Sequence, residues 1–288
     1  MTKGTEKMSR FFTEADSVNV VNARMGSDIN PRLKEIMTSL VRHLHAFVKD
    51  VHLTQQEWEV AIDFLTRTGQ ICSNERQEFI LLSDTLGVSM LVDAINNRRS
   101  IGATENTVLG PFHVAGAPQR GMGEHISFDG KGERCLFEGR VTDLHGNPVA
   151  DARIDVWSDN ADGYYDVQQP GIQPKWNNRG IFTTGVEGKY SFVGIKPVSY
   201  PIPHDGPVGG MLDALGRHPY RPAHMHFIVT ADGFQKVVTH TFVGDDHYMT
   251  SDAVFGVKET LVAPFERVDD GVTVWRSSFD FILTPAGE

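Results

Sequence analysis

Two histidines, spaced two positions apart at a predicted strand, are the feature that most constrains this chain. His226 begins the run 226–229, which is His-Phe-Ile-Val, and His224 lies two positions before it. Side chains of a β-strand alternate between its two faces, so residues two apart share a face. The pattern therefore predicts a strand whose two imidazoles point the same way, as a metal site requires. Imidazole binds iron, copper, zinc and nickel, so the pair alone leaves the metal open.

Tyrosines, and not carboxylates, accompany this pair. No Asp or Glu adjoins His224 or His226, which argues against the site of two histidines and one carboxylate found in ferrous oxygenases. Tyr165, which follows Tyr164, and Tyr200 lie upstream in loops rich in glycine and proline, where functional residues concentrate. A tyrosine has an ordinary pKa of about 10, so a tyrosinate ligand at neutral pH needs a strongly Lewis-acidic cation. Ferric iron is the metal that this residue set favours.

Four longer motifs resemble the intradiol ring-cleavage dioxygenases, the non-haem ferric family that opens catechols between their two hydroxyls. The motif at 221–226 is Arg-Pro-Ala-His-Met-His, and the others are at 104–112, 188–192 and 200–203. The resemblance covers nearly the whole chain. It implies a helical dimerisation domain over residues 1–103 and a catalytic domain with the ferric iron site over residues 104–288.

The resemblance also implies the ligands of one Fe(III) per subunit. Tyr165 and His224 match the equatorial ligands, and Tyr200 and His226 match the axial ones. Tyr165 is chosen over Tyr164 because relatives have the order Gly-Phe-Tyr-Asp at this point.

Three residues match catalytic positions of the family. Arg221 matches an arginine beside the substrate ring, where a fixed cation stabilises developing negative charge. Tyr200 matches the ligand that the substrate displaces, and its oxygen accepts a substrate proton. His240 stands where many catechol-cleaving relatives have glutamine, and a neutral imidazole still offers one donor and one acceptor. An ordinary strand histidine is the alternative interpretation of His240.

Segments 81–93, 166–168 and 251–256 are similar to the hydroxyquinol-cleaving branch of the family. This similarity implies cleavage of benzene-1,2,4-triol with dioxygen to 3-hydroxy-cis,cis-muconate, which tautomerises to maleylacetate. Asp84 is expected to accept a hydrogen bond from the third hydroxyl, since such a site discriminates against analogues that lack it. A surface or capping carboxylate is the alternative for Asp84. The matching pocket positions are Leu81, Asp84, Val108, Leu109, Gly110, Pro111, Phe112, Ile202, Pro203, Arg221 and Val254.

Three other functions stay open at this point. A catechol or chlorocatechol 1,2-dioxygenase would share the iron chemistry and differ in its pocket. A metal-free β-sandwich binding module belongs to a different class, and such folds serve many functions. A zinc hydrolase fits less well, because the histidine pair has neither a carboxylate nor a cysteine beside it.

Residues 31–97 have the pattern of amphipathic helices. Asn30 is a candidate N-cap before Pro31, and Thr54 with Glu57 forms a capping box for a second helix. A third helix is predicted from about Asn74 to Ile95. The apolar stripes fit a helical core or, as the resemblance favours, a homodimer interface, where relatives also trap a phospholipid.

After Gly102 the pattern changes to short alternating runs separated by turns. Repeated strands with connections rich in glycine and proline are typical of an antiparallel β-sandwich. The sequence therefore predicts a mainly β fold with an α-helical N-terminal region. The predicted strands are 135–143, 152–158, 180–184, 189–193, 226–230, 237–242 and 272–281.

Composition limits the partners and the compartment. The 288 residues have a formal net charge of −10, which argues against a nucleic-acid binder that needs basic phosphate contacts. Cys72 and Cys135 form no Cys-x-x-Cys pair, so neither a zinc cage nor a disulfide framework is indicated. Residues 1–9 lack the apolar region of a signal peptide, and no segment is apolar enough to span a membrane. These features predict a cytoplasmic protein, and the resemblance to the intradiol dioxygenases implies that its partners are a small aromatic diol or triol and O2.

Overall fold

The computed structural model describes residues 11–73, 76–268, 271 and 273–287. The chain divides into two units between Arg67 and Thr68. Helices α1 (Ser17–Asn22) and α2 (Pro31–Asp50) lie in the first unit, and α3 (Gln55–Gln70) begins in it. Among the described residues, no helix combines the length and apolar character that crossing a membrane requires. The cytoplasmic location expected from the sequence stays a prediction.

Both predicted helix starts are confirmed. The side-chain oxygen of Asn30 accepts hydrogen bonds from the backbone N–H groups of Arg32 at 2.9 Å and Leu33 at 3.2 Å. The carboxylate of Glu57 accepts from the N–H of Thr54 at 2.9 Å, and the hydroxyl of Thr54 accepts from the N–H of Glu57 at 3.3 Å. These bonds satisfy backbone donors that have no partner within the helix.

The predicted third helix is two helices, α4 (Glu78–Thr85) and α5 (Val88–Asn96). Gly87 lies between them with a φ of 73°, a left-handed conformation that glycine adopts without strain. The single-helix prediction was wrong because the apolar spacing continues across this break. Its expected start, Asn74, lies outside the described residues. Both helices belong to the same unit as the sheets.

Twelve strands are present among the described residues of the second unit, which also holds α6 (Pro207–Ala214). They are β1 (Arg134–Asp143), β2 (Arg153–Trp157), β3 (Arg179–Thr183), β4 (Lys189–Ile195), β5 (Tyr200–Pro201), β6 (Tyr220–Arg221), β7 (His224–Thr230), β8 (Val237–Val243), β9 (Val262–Ala263), β10 (Phe265–Arg267), β11 (Trp275–Ser278) and β12 (Phe281–Leu283).

The strands form two sheets of five and one of two. The first sheet has the order β10-β11-β1-β12, with β4 also paired to β1, and the second has the order β3-β2-β7-β8-β9. Strands β5 and β6 form the third sheet. The mainly β fold with N-terminal helices is thus confirmed.

The sheets are mixed, and the prediction of a purely antiparallel sandwich was wrong. Strand β1 runs parallel to β11 and β12, and β8 runs parallel to β9, while the other pairs are antiparallel. Alternation of apolar residues identifies a strand without giving its direction relative to its neighbours. The predicted strand 272–281 is two strands, β11 and β12, and its expected start, Val272, lies outside the described residues.

The main apolar core takes its side chains from both five-stranded sheets. Phe137 and Phe192 come from the first sheet, and Met225 and Phe227 come from β7 in the second. Side chains alternate along β7, so the residues between and before these two point to the opposite face. That face carries the histidine pair.

Candidate metal centre

The two β7 histidines are fixed by different neighbours. The Nδ1–H of His224 donates to the carbonyl oxygen of Pro222 at 2.7 Å, which leaves the lone pair on Nε2. The ring of His226 stacks on Trp157, its neighbour on β2, with ring centroids 4.6 Å apart. Both histidines are buried, and their Nε2 atoms are 3.2 Å apart. The strand therefore presents two imidazole nitrogens to one point, as the His-x-His spacing predicted.

The two predicted tyrosine ligands reach the same point. Tyr165 precedes a 3-10 turn over Asp166–Gln168, and its hydroxyl lies 2.9 Å from Nε2 of His226 and 3.3 Å from the hydroxyl of Tyr200. Tyr165 is fully buried, whereas Tyr164 is 46% exposed. Tyr200 opens the short strand β5, so it is held by strand pairing as well as by its loop.

The spacing of these four side chains fits a single metal ion. Ligand atoms bound to one metal at about 2 Å and roughly at right angles lie about 3 Å apart. The successive separations here are 3.2 Å between the two Nε2 atoms, 2.9 Å from His226 to Tyr165, and 3.3 Å from Tyr165 to Tyr200. Two imidazole nitrogens and two phenol oxygens thus converge without any carboxylate among them.

Burial sets the protonation of these groups. Burial and, second to it, the nearby Arg221 lower the pKa of His224 to about 3, so the imidazole is neutral at neutral pH and can bind a metal. The pKa of His226 is lowered well below its usual range for the same reason, with His240 and His224 adding to the effect. Burial raises the pKa of Tyr165 well above its usual range, and Tyr200 adds to this rise. The protein alone therefore keeps this phenol protonated, and a bound cation has to favour its anion.

His240 borders the cluster. It lies on β8 directly opposite His226, and its ring centroid is 4.1 Å from that of His226 and 4.7 Å from that of His224. The candidate ligand atoms of the three histidines all lie within 4.8 Å of one another, so together they could hold a metal ion. Within the described part of the chain, neither ring nitrogen of His240 makes a hydrogen bond of normal geometry. Burial lowers the pKa of His240 well below its usual range, and the backbone of Val108 partly opposes this.

Arg221 is joined to the cluster on one side and to a carboxylate on the other. It pairs across the β5–β6 ladder with Tyr200, and its Nη1 donates to Nε2 of His224 at 3.2 Å. Its Nε and Nη2 donate to the two carboxylate oxygens of Asp252 at 3.1 and 3.2 Å. Burial raises the pKa of Asp252, but the guanidinium, the backbone N–H of Val254 and His224 together outweigh burial, so the pKa is lowered.

The sequence analysis missed three neighbours of the site. Trp157 packs on His226, Asp252 pairs with Arg221, and the buried Arg179 donates from Nε to Asp166 at 2.6 Å, immediately after Tyr165. Trp157 could have been found from the sequence, because it lies on a predicted strand and pairing of that strand with β7 places it opposite His226. No local sequence pattern predicts the two ion pairs, because the partners of each pair are far apart along the chain.

A cavity of about 890 Å³ adjoins the cluster. A Cβ built on Gly110 would lie 3.1 Å from Cε1 of His226, and the ring of Phe112 stacks on Tyr165 at 4.5 Å, so this wall of the cavity reaches the ligands. The predicted substrate residues that line it are Leu81, Asp84, Val108, Leu109, Gly110, Pro111, Phe112 and Pro203. The remaining three, Ile202, Arg221 and Val254, are buried and are not among its lining residues. Ile202 and Val254 pack in a cluster that also contacts Leu81 and Val108.

Comparison with known proteins identifies the family. Residues 30–104 match the family "Catechol dioxygenase N terminus" and residues 108–285 match the family "Dioxygenase". A hydroxyquinol 1,2-dioxygenase of Rhizobium sp. (strain MTP-10005) is 56% identical over 283 residues, which are 95% of this chain and 96% of that protein. The chain belongs to the intradiol dioxygenases.

Solved intradiol dioxygenases share the fold of this family member. The hydroxyquinol 1,2-dioxygenase from Pseudomonas putida DLL-E4 has a TM-score of 0.90 and 48% identity, and the match covers 94% of this chain and 98% of that one. The catechol 1,2-dioxygenase from Pseudomonas arvilla C-1 has a TM-score of 0.80 and 31% identity, with 96% and 92% covered. The expected resemblance to intradiol dioxygenases, and within them to the hydroxyquinol 1,2-dioxygenases, is thus confirmed.

The geometry predicts different effects for the two adjacent tyrosines. Tyr165→Phe removes an oxygen from the four-atom cluster, so we expect metal affinity to fall by at least roughly 10- to 100-fold, the loss typical of even an outer-shell partner. Tyr164→Phe alters a half-exposed side chain and should leave metal content unchanged. Elemental analysis of the two purified variants tests this. Equal metal content in both would contradict the placement of Tyr165 at the site.

Proposed function

We propose that this intradiol dioxygenase cleaves hydroxyquinol, benzene-1,2,4-triol, between its adjacent hydroxyls with O2. The product is 3-hydroxy-cis,cis-muconate, which tautomerises to maleylacetate. The convergence of two imidazoles and two phenols beside a cavity with a partly buried carboxylate carries this proposal. The names of the more similar relatives support the substrate, because hydroxyquinol enzymes match at higher identity than the catechol 1,2-dioxygenase from P. arvilla C-1.

The proposed cofactor is one Fe(III) per subunit, held by Tyr165, Tyr200, His224 and His226. Anionic phenolate ligands favour the ferric over the ferrous state, and two phenol oxygens face two neutral imidazoles here. Held by these four residues, Fe(III) would supply the Lewis acidity that favours the ionised diol and activates its ring towards dioxygen.

The remaining chemistry belongs to the side chains around this site. The oxygen of Tyr200 would accept a proton from a substrate hydroxyl, because a phenolate oxygen is a base. The guanidinium of Arg221 stabilises negative charge that develops on the ring. His240, beside both ligand histidines, offers one donor and one acceptor to the bound molecule.

Asp84 is the proposed determinant of substrate choice. It lines the cavity together with Ser89 and the apolar Leu81 and Val108. Burial raises the pKa of Asp84, and a hydrogen bond from Ser89 opposes the rise. A partly buried carboxylate among apolar walls gains a hydrogen bond from the third hydroxyl of the triol, and catechol offers no group for that bond.

The test compares kcat/KM for the triol and for catechol in wild type, Asp84→Ala and Asp93→Ala. Asp93 lines the same cavity and faces Lys258, so it is a matched carboxylate control. We expect wild type and Asp93→Ala to prefer the triol and Asp84→Ala to lose about 100-fold or more of that preference. An unchanged preference in Asp84→Ala would contradict the role of Asp84, and a wild type that prefers catechol or chlorocatechol would favour the alternative substrates.

We also propose a homodimer formed through the N-terminal helices, with residues 1–103 as the dimerisation domain and residues 104–288 as the catalytic domain. Helix α2 carries one apolar stripe along its length, and large exposed apolar patches on soluble proteins mark interaction sites. The stripe residues are between 37% and 55% exposed, and they are Leu33, Ile36, Met37, Leu40, Leu44, Phe47, Val48 and Val51. The proposed partner of this stripe is the same stripe of a second subunit. A phospholipid is proposed to lie at the interface between them.

The stripe predicts the oligomeric state. The double substitution of Leu40→Glu and Leu44→Glu places two charges in the proposed interface, so sedimentation should show a monomer where the wild type is a dimer. Val186→Glu introduces a charge at a side chain that is 85% exposed outside α2, and it should stay dimeric. Native mass spectrometry of the wild-type dimer would detect the lipid. A dimer that survives the double substitution would contradict this interface.

A further inference from the structure

Asp252 is buried with every lone-pair direction in use. The side chains of Asp252 and Arg221 are 2% and 4% exposed, so the ion pair is shielded from water. Besides the guanidinium, its Oδ1 accepts from the N–H of Val254 at 3.2 Å and its Oδ2 accepts from the N–H of Gly256 at 2.9 Å. Two backbone N–H groups thus hold the carboxylate in addition to the guanidinium.

This carboxylate determines which edge of Arg221 faces the metal ligands. Nε and Nη2 are bound to Asp252, while Nη1 donates to Nε2 of His224 at 3.2 Å. A Cβ on Gly256 would lie only 2.7 Å from Nη2, so the backbone closes tightly over the guanidinium. The side chain therefore has one supported orientation, with Nη1 directed at the cluster.

Side-chain hydrogen bonds anchor the loop that carries Asp252 at two points, Ala253 and Gly256. Arg217 donates from Nη2 to the carbonyl of Ala253 at 3.0 Å and from Nη1 to the carbonyl of Thr85, at the end of α4, at 2.6 Å. The hydroxyl of Thr107 donates to the carbonyl of Gly256 at 2.9 Å. The loop is therefore tied to α4 and to the segment 104–112, both of which contribute to the cavity wall.

We propose that Asp252 is a positioning residue of the ring-cleavage reaction, which aims the Arg221 guanidinium at the bound substrate. This inference rests on the proposed function in one respect, namely that Arg221 stabilises charge on the ring. A cation that is held in place before reaction stabilises developing charge without having to reorganise. Asp252 supplies that rigidity, and no contact of Asp252 with the substrate is required.

A double-mutant cycle tests whether Asp252 acts through Arg221. The variants are Asp252→Asn, Arg221→Gln and the double variant, each measured for kcat and, by anaerobic visible titration, for the dissociation constant of the substrate. We expect kcat to fall about 10-fold in Asp252→Asn and about 100-fold in Arg221→Gln, with dissociation constants changed less than kcat. The double variant should match Arg221→Gln, because the function of Asp252 is already lost with its partner.

Two results would overturn the proposal. One is a double variant in which the kcat losses of the single variants multiply, and the other is an Asp252→Asn protein with unchanged kcat per bound iron. Asp155→Asn is the control, since Asp155 is a similarly buried carboxylate paired with Arg153 at 3.1 Å, and its kcat should be unaffected. Asp252→Glu and Arg221→Lys preserve the charges and replace the first variants in the cycle if those fail to fold. The cycle is measured with whichever 1,2-diol the wild type cleaves. Its result therefore tests the role of Asp252 even if the proposed substrate is wrong.

Discussion

The alternation of side chains along β7 is the constraint on which the rest of the site depends. Met225 and Phe227 enter the main core, and that packing fixes the register of the strand. His224 and His226 are consequently held on the opposite face, under the loops that carry Tyr165 and Tyr200. A one-residue slip would exchange the two sets, so the same apolar packing that stabilises the fold also places the candidate ligands.

The proposed chemistry on that face depends on candidate ligands that are uncharged and lie next to charged side chains. The histidines are buried and lose their protons easily, while burial keeps the Tyr165 phenol protonated until a cation binds. Arg221 adds a permanent positive charge beside these groups, and its ion pair with Asp252 offsets the energetic cost of burying that charge. A buried ion pair of this kind contributes little to the free energy of unfolding, but it holds the guanidinium in one orientation at the candidate site.

The sequence predicted those parts of the molecule that local pattern determines. Caps at Asn30 and Thr54 fixed two helix starts, and period-two alternation identified β7 with its histidines. Apolar spacing concealed the break at Gly87, and alternation gave no direction for β1 against β11 and β12. The pairing of Asp252 with Arg221 escaped notice because the two residues are 31 positions apart and meet only in the folded chain. Tyr165 was placed by resemblance, since nothing in the residues alone separates it from Tyr164.

An anaerobic visible spectrum of the purified protein, before and after addition of benzene-1,2,4-triol, tests the central claim most directly. The account predicts a tyrosinate-to-Fe(III) charge-transfer band that shifts when the triol binds, because in the proposed site the phenolates and the substrate would share one ferric ion. A protein that stays colourless after ferric loading would contradict the ferric site and, with it, the proposed ring cleavage.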